Sequence, residues 1–323
     1  MKRRTKNYTF SQTEIRILKH IASESHFPPM IRKNLAIKPS LFSQYLKRLQ
    51  SKGILKLQMK NFPYKRGRAK NRKYVYFGDS KHSLLLKELL VEYKHITWEV
   101  ILSGLGIEVL FQILNNNEIE YEEFSYITFW RYTKRLMELG IVELDGNVFQ
   151  INSRFSSLIH FLEEYERFII GIIVKSFSEN GQVLWQKGLE CLIRVPKTEV
   201  AQDGFLKTAT SRLSDYGIQT ISDFDVYFYS ERKKRLALED IILHTLLIER
   251  NNVRYVTYSL LLMKKKLEEI DREYLLKEAT SYELNLQVNA MLQFLETKGA
   301  RTGLTLPKWS EFITKTKEYE EID

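Results

Sequence analysis

Apolar residues recur at helical spacing near the start of the chain. They follow Ser11 and Glu14, and they are Ile15, Ile17, Leu18, Ile21 and Ala22. A serine three positions before a glutamate forms a capping box, in which each side chain accepts a hydrogen bond from the other residue's backbone N–H. We therefore predict a first helix from Ser11 to about Ser25, ended by the two prolines after Phe27.

Two more helices are predicted next, a short one over residues 30–35 and an amphipathic one over residues 41–52. Ser40 is the predicted N-cap of the latter, and Gly53 ends it with left-handed backbone. The residues expected on its buried face are Leu41, Phe42, Tyr45, Leu46 and Leu49. Ser43, Gln44, Lys47 and Arg48 are expected to face outward.

Residues 54–60 alternate between apolar and polar positions, which predicts a β-strand, and residues 73–77 are predicted as a second strand. The segment between them, 61–72, is polar and contains no acidic residue. Seven basic residues lie between positions 60 and 73, namely Lys60, Lys65, Arg66, Arg68, Lys70, Arg72 and Lys73. We predict a hairpin with a strongly basic tip.

Charge is unevenly distributed along the chain. The net charge is +10 over 323 residues, yet residues 1–78 hold 20 Lys and Arg against two acidic residues. Residues 97–152 hold three basic and nine acidic residues, and residues 153–323 hold 24 and 26. Such asymmetry is typical of a polyanion-binding module joined to parts that do not bind polyanions.

Residues 10–78 resemble the winged helix-turn-helix domain of archaeal and bacterial transcription regulators, most clearly from Ser43 to Leu55. The resemblance implies that helix 41–52 enters the major groove of duplex DNA, where Ser, Gln and Arg read base edges and Lys holds phosphate. The basic wing, 60–73, would follow the backbone or the adjacent minor groove. The predicted DNA-binding residues are Ser40, Ser43, Gln44, Lys47, Arg48, Lys60, Lys65, Arg66, Arg68, Lys70, Arg72 and Lys73.

The chain contains an internal repeat, offset by 87 residues. Tyr45–Leu49 aligns with Tyr132–Leu136, and Gly53–Leu57 aligns with Gly140–Leu144. We predict a second, acidic winged-helix unit with helices over residues 108–115, 120–126 and 128–139, followed by a tight hairpin at Asp145, Gly146 and Asn147. Its acidic residues Glu118, Glu120, Glu122 and Glu123 favour a structural or dimerising role. The alternative is that it contacts a second patch of DNA through residues 128–135.

The C-terminal half predicts a mixture of helices and strands. Helices are expected over residues 157–177, 236–249, 258–270 and 272–297, and strands over residues 182–195 and 225–230. Cys191, the only cysteine, is expected to be an inert core thiol.

One stretch of this half is similar to the nucleotidyltransferase signature. Thr208–Gly217 precedes Asp223 and Asp225, and the resemblance implies that such paired carboxylates hold Mg²⁺. Thr210 replaces the glycine of that signature, where phosphate would approach the backbone. Together with residues 236–247, the stretch also resembles the inactive nucleotidyltransferase-like domain of abortive-infection-type antitoxins, which repress their own operons.

A further cluster, Glu239, Asp240 and His244, lies on one predicted helix. Because His244 stands four positions after Asp240, the two would share one helix face and so would complete a metal site or form a structural pair. The structural pair is the favoured interpretation, so no metal site is assigned.

The sequence thus predicts an α+β, mostly helical protein with three domains: a basic winged helix at 1–80, an acidic winged-helix domain at 81–156 and an α/β domain with a helical tail at 157–323. The favoured function is a cytoplasmic, homodimeric transcription regulator that binds double-stranded DNA and is not an enzyme. Its C-terminal domain would take a protein partner or a small-molecule effector, and no cofactor is expected. The alternatives are a nucleotidyltransferase-like enzyme, with Asp223 and Asp225 as its catalytic residues, an antitoxin-type autorepressor, or a replication or plasmid-maintenance protein. No apolar run approaches the roughly 20 residues of a membrane span.

Overall fold

Helices dominate the chain, and its strands form small antiparallel sheets. Helical residues make up 58% of the described part, which confirms the expected mostly helical α+β class. The computed structural model describes residues 8–23, 26–63, 69–115, 125–146, 148–197, 204–300 and 305–320, apart from the side chains of residues 61–63, 69–71 and 320. No helix within these ranges is long and apolar enough to cross a membrane.

The chain divides into two compact units, which we call the N-terminal unit (Met1–Ile169) and the C-terminal unit (Ile170–Asp323). The finer predicted boundaries near residues 80 and 156 stay predictions. The N-terminal unit begins with α1 (Gln12–Ser23), α2 (Pro28–Asn34), α3 (Pro39–Ser51), β1 (Leu55–Pro63) and β2 (Ala69–Phe77).

The first helix starts at the predicted capping box. The backbone N–H of Ser11 donates to Glu14 Oε2 at 2.7 Å, and the N–H of Glu14 donates to Ser11 Oγ at 3.2 Å. Two of the donors that a helix start leaves unpaired are thereby satisfied. The helix ends at Ser23, and the predicted end at Ser25 lies outside the described residues.

Helix α3 begins earlier than predicted. Lys38 is its N-cap and Pro39 its first residue, because the ring of proline fixes a helical φ and the missing N–H would have no partner there. Ser40 therefore lies inside the helix, and its prediction as the N-cap is wrong. The helix ends at Ser51, and Gly53 follows with a φ of +66°, the left-handed conformation that was predicted.

The buried face of α3 is narrower than predicted. Phe42, Leu46 and Leu49 are buried, whereas Tyr45 is partly buried and Leu41 is 43% exposed. With about 3.6 residues per turn, Leu41 falls about a quarter-turn away from Phe42 and outside the apolar stripe. The prediction that Leu41 belongs to the core is wrong.

The hairpin after α3 is longer than predicted. Strands β1 and β2 are antiparallel and pair along their whole lengths, out to Pro63 opposite Ala69. Both ends of the predicted loop, 61–72, are therefore strand. Residues 64–68, which remain between the strands, lie outside the described residues.

The rest of the N-terminal unit adds more helices and a second hairpin. They are α4 (Lys81–Glu92), α5 (Trp98–Ile101), α6 (Leu105–Leu114), α7 (Tyr126–Glu138), β3 (Val142–Asp145), β4 (Val148–Ile151) and α8 (Ser156–Phe177), whose last residues belong to the C-terminal unit. The second hairpin turns at Gly146, with a φ of +60°, as predicted. Of the helix predicted over residues 120–126, all but the last two residues lie outside the described ranges.

The C-terminal unit contains an antiparallel sheet of strand order β5-β6-β8-β7. Its elements are β5 (Gln182–Lys187), β6 (Glu190–Pro196), β7 (Phe205–Lys207), a 3-10 segment (Ala209–Tyr216), β8 (Phe224–Tyr229), α9 (Leu238–Ile248), α10 (Val253–Lys265), α11 (Arg272–Ser281), α12 (Asn285–Glu296) and α13 (Trp309–Glu320). Apolar residues of the sheet, such as Leu192 and Phe228, share one core with the helices.

Three predicted elements of this unit are corrected. The single strand predicted over residues 182–195 is a hairpin that turns at Gly188, with a φ of +57°. The helix predicted over residues 272–297 is two helices, because Glu283 adopts a φ of +59°, which no α-helix interior accommodates. The helix predicted over residues 258–270 starts earlier, where the Asn252 side chain accepts a hydrogen bond from the N–H of Arg254.

A buried ion pair joins the end of α3 to the start of α1. Lys52 Nζ lies 3.1 Å from Glu14 Oε2, and the side chains are only 5% and 1% exposed. Burial lowers the pKa of Lys52, and the Glu14 carboxylate opposes that change. The ammonium group also lies 4.9 Å from the centre of the Phe10 ring. His82 Nε2 donates to the carbonyl oxygen of Lys52 at 3.0 Å, so α4 is tied to the same point.

Replacing Lys52 with Met should destabilise the N-terminal unit by about 3–5 kcal/mol, because Glu14 would stay buried without its cation. Urea denaturation followed by tryptophan fluorescence measures the loss, because Trp98 is buried in this unit and becomes exposed when it unfolds. The double variant Glu14→Gln, Lys52→Met should recover part of it. Lys56→Ala is the matched control, since it breaks an exposed pair with Asp79 and should cost less than about 1 kcal/mol. Equal losses in Lys52→Met and Lys56→Ala would contradict the assignment.

Candidate nucleic-acid interface

The outward face of α3 gathers the polar residues that were predicted there. Ser40, Ser43, Gln44, Lys47 and Arg48 are all exposed. Their spacing of three, four, seven and eight positions places them on one side of the helix. The core residues of α3 lie on the opposite side, so this face is free to meet another molecule.

The positive charge of this face is not neutralised. No acidic residue occurs between Pro28 and Ser51, the segment that forms α2 and α3. Within the described part of the chain, neither Lys47 nor Arg48 forms an ion pair. An uncompensated cationic face of this kind attracts polyanions.

The hairpin adds further basic residues. Lys60 and Arg72 are directly opposite each other in the β1–β2 pairing, and Lys73 is exposed on β2. Lys70 lies on β2 opposite Phe62, with only its backbone described. The other predicted wing residues, Lys65, Arg66 and Arg68, lie outside the described residues.

Aromatic rings support the cations of the hairpin. Lys60 Nζ lies 4.8 Å from the centre of the Tyr76 ring, and the Arg72 guanidinium lies 5.6 Å from that of Phe27. Such cation–π contacts hold long side chains in one orientation. Residues 73–77 were predicted as a strand. The sequence did not indicate that the Tyr74 and Tyr76 rings contact basic residues.

The segment before α2 fastens the hairpin to the helices. The N–H of Val75 donates to the carbonyl oxygen of His26 at 2.8 Å. The His26 ring lies 4.7 Å from the Tyr76 ring, and burial lowers its pKa, as do the charges of Lys87 and Lys60. The hairpin is therefore fixed to the helical part of the unit along its inner half.

Leu41 was missed as a surface residue. It is exposed in the first turn of α3, next to Ser40 and three positions before Gln44. In the sequence, the exposure of Leu41 was indicated by its position, because it stands one residue before the apolar stripe that begins at Phe42.

The two aspartates of the nucleotidyltransferase-like stretch lie at the start of β8. Asp225 is buried, and its Oδ2 lies 3.0 Å from Lys207 Nζ, while Asp223 is exposed. The hydroxyl of Ser211 accepts a hydrogen bond from the N–H of Val226 at 2.8 Å. In the part of the chain that the structure describes, no group of three His, Cys, Asp or Glu residues is arranged to hold a metal ion.

The predicted cluster of Glu239, Asp240 and His244 is buried in the C-terminal unit. Glu239 Oε1 accepts a hydrogen bond from the N–H of Asp271 at 2.7 Å, and Asp240 accepts from Lys233 Nζ at the same distance. His244 is fully buried, with Nδ1 2.9 Å from the hydroxyl of Thr208. All of these side chains have partners in the fold, but the hydrogen bonds of Asp240 and His244 go to other residues instead of to each other, so the predicted Asp240–His244 pair is not formed as a hydrogen bond.

Two buried groups of this unit have strongly shifted pKa values. Burial lowers the pKa of His244 to about 3, and the charge of Asp240 opposes this only in part. Its ring stacks on Phe228 at 4.2 Å, so the imidazole is neutral at ordinary pH. Burial raises the pKa of Cys191 to about 12, so this thiol stays protonated and unreactive.

The pH dependence of stability tests the role of His244. Below its ordinary pKa of about 6.5, the unfolded chain binds a proton that the folded chain does not. Stability is therefore complete above about pH 6.5 and falls by about 1.4 kcal/mol per pH unit as the pH drops towards 3. In the variant His244→Gln, the urea midpoint should change less between pH 7 and pH 5 than in the natural chain. Parallel pH profiles would show that His244 does not titrate in this way.

Comparison with known proteins gives one match. A family model described as HVO_2833, C-terminal, matches residues 202–321. The matched stretch takes in β7, β8 and the helices α9 to α13, so the chain is similar to that family over most of its C-terminal unit. No curated protein and no solved structure matches the chain.

Proposed function

We propose that the chain is a sequence-specific regulator of transcription that binds double-stranded DNA through α3 and the β1–β2 hairpin. The observation that carries this proposal is the outward face of α3, which presents serine, glutamine, lysine and arginine without any acidic residue. The order of three helices and a hairpin is that of a winged helix-turn-helix domain. The charge of residues 1–78 supports the same conclusion.

The physical basis is the fit of an α-helix to the major groove. Gln44 and Arg48 would offer hydrogen bonds to adenine and guanine edges, and Lys47 would hold phosphate. The hairpin would follow the phosphate backbone, where each basic residue releases condensed counterions. Leu41 would contact thymine methyl groups beside Gln44.

The proposed assembly and partners follow from the same function. Palindromic operator sites mirror a two-fold symmetric protein, so a homodimer is the proposed form. The C-terminal unit would bind a protein partner or a small-molecule effector. Catalysis is not part of the proposal, because Asp225 pairs with Lys207 and the hydroxyl of Ser211 binds backbone instead of facing a phosphate.

The salt dependence of DNA affinity tests the role of the hairpin. Replacing Lys65, Arg66, Arg68 and Lys70 with Ala should weaken binding to every duplex sequence. It should also reduce the slope of log affinity against log salt by up to about 3 to 4, since each lost phosphate contact removes about 0.9. Fluorescence anisotropy with a labelled duplex over a range of salt concentrations measures both effects.

A matched control removes the same charge elsewhere. Lys175, Lys308, Lys315 and Lys317 are exposed lysines of the C-terminal unit. Their replacement with Ala should leave the salt slope as it is in the natural chain. If the hairpin variant and the control variant had the same slope as the natural chain, the hairpin would not bind phosphate.

Base preference tests the role of α3. We expect Gln44→Ala and Arg48→Ala to relax preference at individual base pairs, at a cost of about 1–3 kcal/mol per lost contact. Leu41→Ala should abolish the difference between thymine and uracil in the selected site, because uracil lacks the methyl group. The measurement is competition between single-base variants of a site recovered from random duplexes. Unchanged base preference in all three variants would argue against reading by α3.

A further inference from the structure

The helix α7 repeats α3 in its local structure. Both helices have 13 residues, and they stand 87 positions apart. Gly53 follows α3 with a φ of +66°, and Gly140 follows α7 with a φ of +67°. The next residue donates its N–H back to the helix in each case, from Ile54 to Leu49 and from Ile141 to Leu136. Equivalent positions of α3 and α7 can therefore be compared directly.

We call residues 10–78 the first module and residues 97–152 the second module. The basic residues of the second module all lie on α7. Arg131, Lys134 and Arg135 are the only Lys or Arg residues between positions 97 and 152, and all of them are exposed on one face of the helix. They stand where α3 carries Gln44, Lys47 and Arg48. Among the described residues, none of these three cations forms an ion pair.

Of the acidic residues of this segment that the structure describes, all but Glu138 lie outside α7. Glu99 pairs with Lys19, and the carboxylates of Glu143 and Asp145 accept hydrogen bonds from side chains of the second hairpin. Glu138 is exposed at the end of α7. Glu118, Glu120, Glu122 and Glu123, which were predicted on an approaching helix, lie outside the described residues. Residues 97–152 have a net negative charge, yet three basic side chains are exposed on one face of α7.

Large apolar side chains accompany these cations. Ile127 is 67% exposed and Trp130 is 42% exposed, at the positions where α3 carries Ser40 and Ser43. The Trp130 ring lies 6.1 Å from the Phe149 ring, which supports it from the hairpin. Apolar groups between cations fit a DNA groove, where they contact thymine methyl groups and the sugars.

The two modules are joined within one compact unit. The N–H of Gly104 donates to the carbonyl oxygen of Phe10 at 2.8 Å, and Lys19 Nζ donates to that of Ile96 at 3.2 Å. The hydroxyl of Tyr165 on α8 donates to the carbonyl oxygen of Tyr8 at 2.7 Å. These contacts lie in the N-terminal unit, to which α3 and α7 both belong.

We propose that α7 is a second DNA-binding helix, so that one chain binds two segments of the same duplex. This inference rests on the proposed function of α3. The acidic module is then not only a connector or a dimer contact, because its one cationic face is used on DNA. Because both helices belong to one chain, the second contact is intramolecular, which raises affinity without a second chain.

The test is a variant with Arg131, Lys134 and Arg135 replaced by Ala, compared with Arg131→Lys, Arg135→Lys, which keeps the charge. Hydroxyl-radical footprinting on a duplex site should show two protected segments for the natural chain and for the lysine variant. The alanine variant should protect only one segment. Its slope of log affinity against log salt should also be lower by about 2 to 3.

Insertion of about 5 base pairs between the protected segments is the second measurement, since about half a helical turn moves one segment to the opposite side of the duplex. The insertion should weaken binding of the natural chain and leave the alanine variant unaffected. An unchanged footprint and slope in the alanine variant, with binding that still depends on Lys47 and Arg48, would overturn the inference alone. Absence of DNA binding by the natural chain would overturn the proposed function as well.

Discussion

The ion pair between Glu14 and Lys52 holds the end of α3 in place, and the proposed interface depends on it. Glu14 also caps α1, so one carboxylate connects the starting point of the first helix with the last turn of the third. A buried pair of this kind tolerates little displacement, because either charge alone would be costly to bury. The polar face of α3 is thereby kept at a fixed angle to the hairpin that follows it.

The same local backbone structure occurs twice in the chain, with different exposed side chains. In both modules, a helix ends at a glycine with positive φ and the chain continues into a hairpin strand. Two buried positions carry the same residue type in both helices, since Phe42 and Leu49 of α3 correspond to Phe129 and Leu136 of α7. The exposed positions differ, since α3 carries small polar groups where α7 carries Ile127 and Trp130. The two helices therefore present different exposed side chains on the same local backbone structure.

Patterns that depend on local physics were predicted well from the sequence. The capping box, the glycine after α3 and the polar face of that helix all depend on residues close together in the chain. The predictions were wrong where contacts between residues far apart in the chain determine the structure. Leu41 is apolar like a core residue, but its side chain is 43% exposed. Neither the pairing of Asp225 with Lys207 nor the left-handed break at Glu283 has a clear signal in a single sequence, because tertiary packing determines both.

The most direct test of the central claim is to locate the surface that touches DNA. A photoreactive amino acid at position 43, on the outward face of α3, should crosslink to a bound duplex on irradiation. The same group at position 310, exposed on α13, should give no crosslink. A crosslink from position 310 without one from position 43 would show that a different part of the chain meets the nucleic acid, and it would contradict the account.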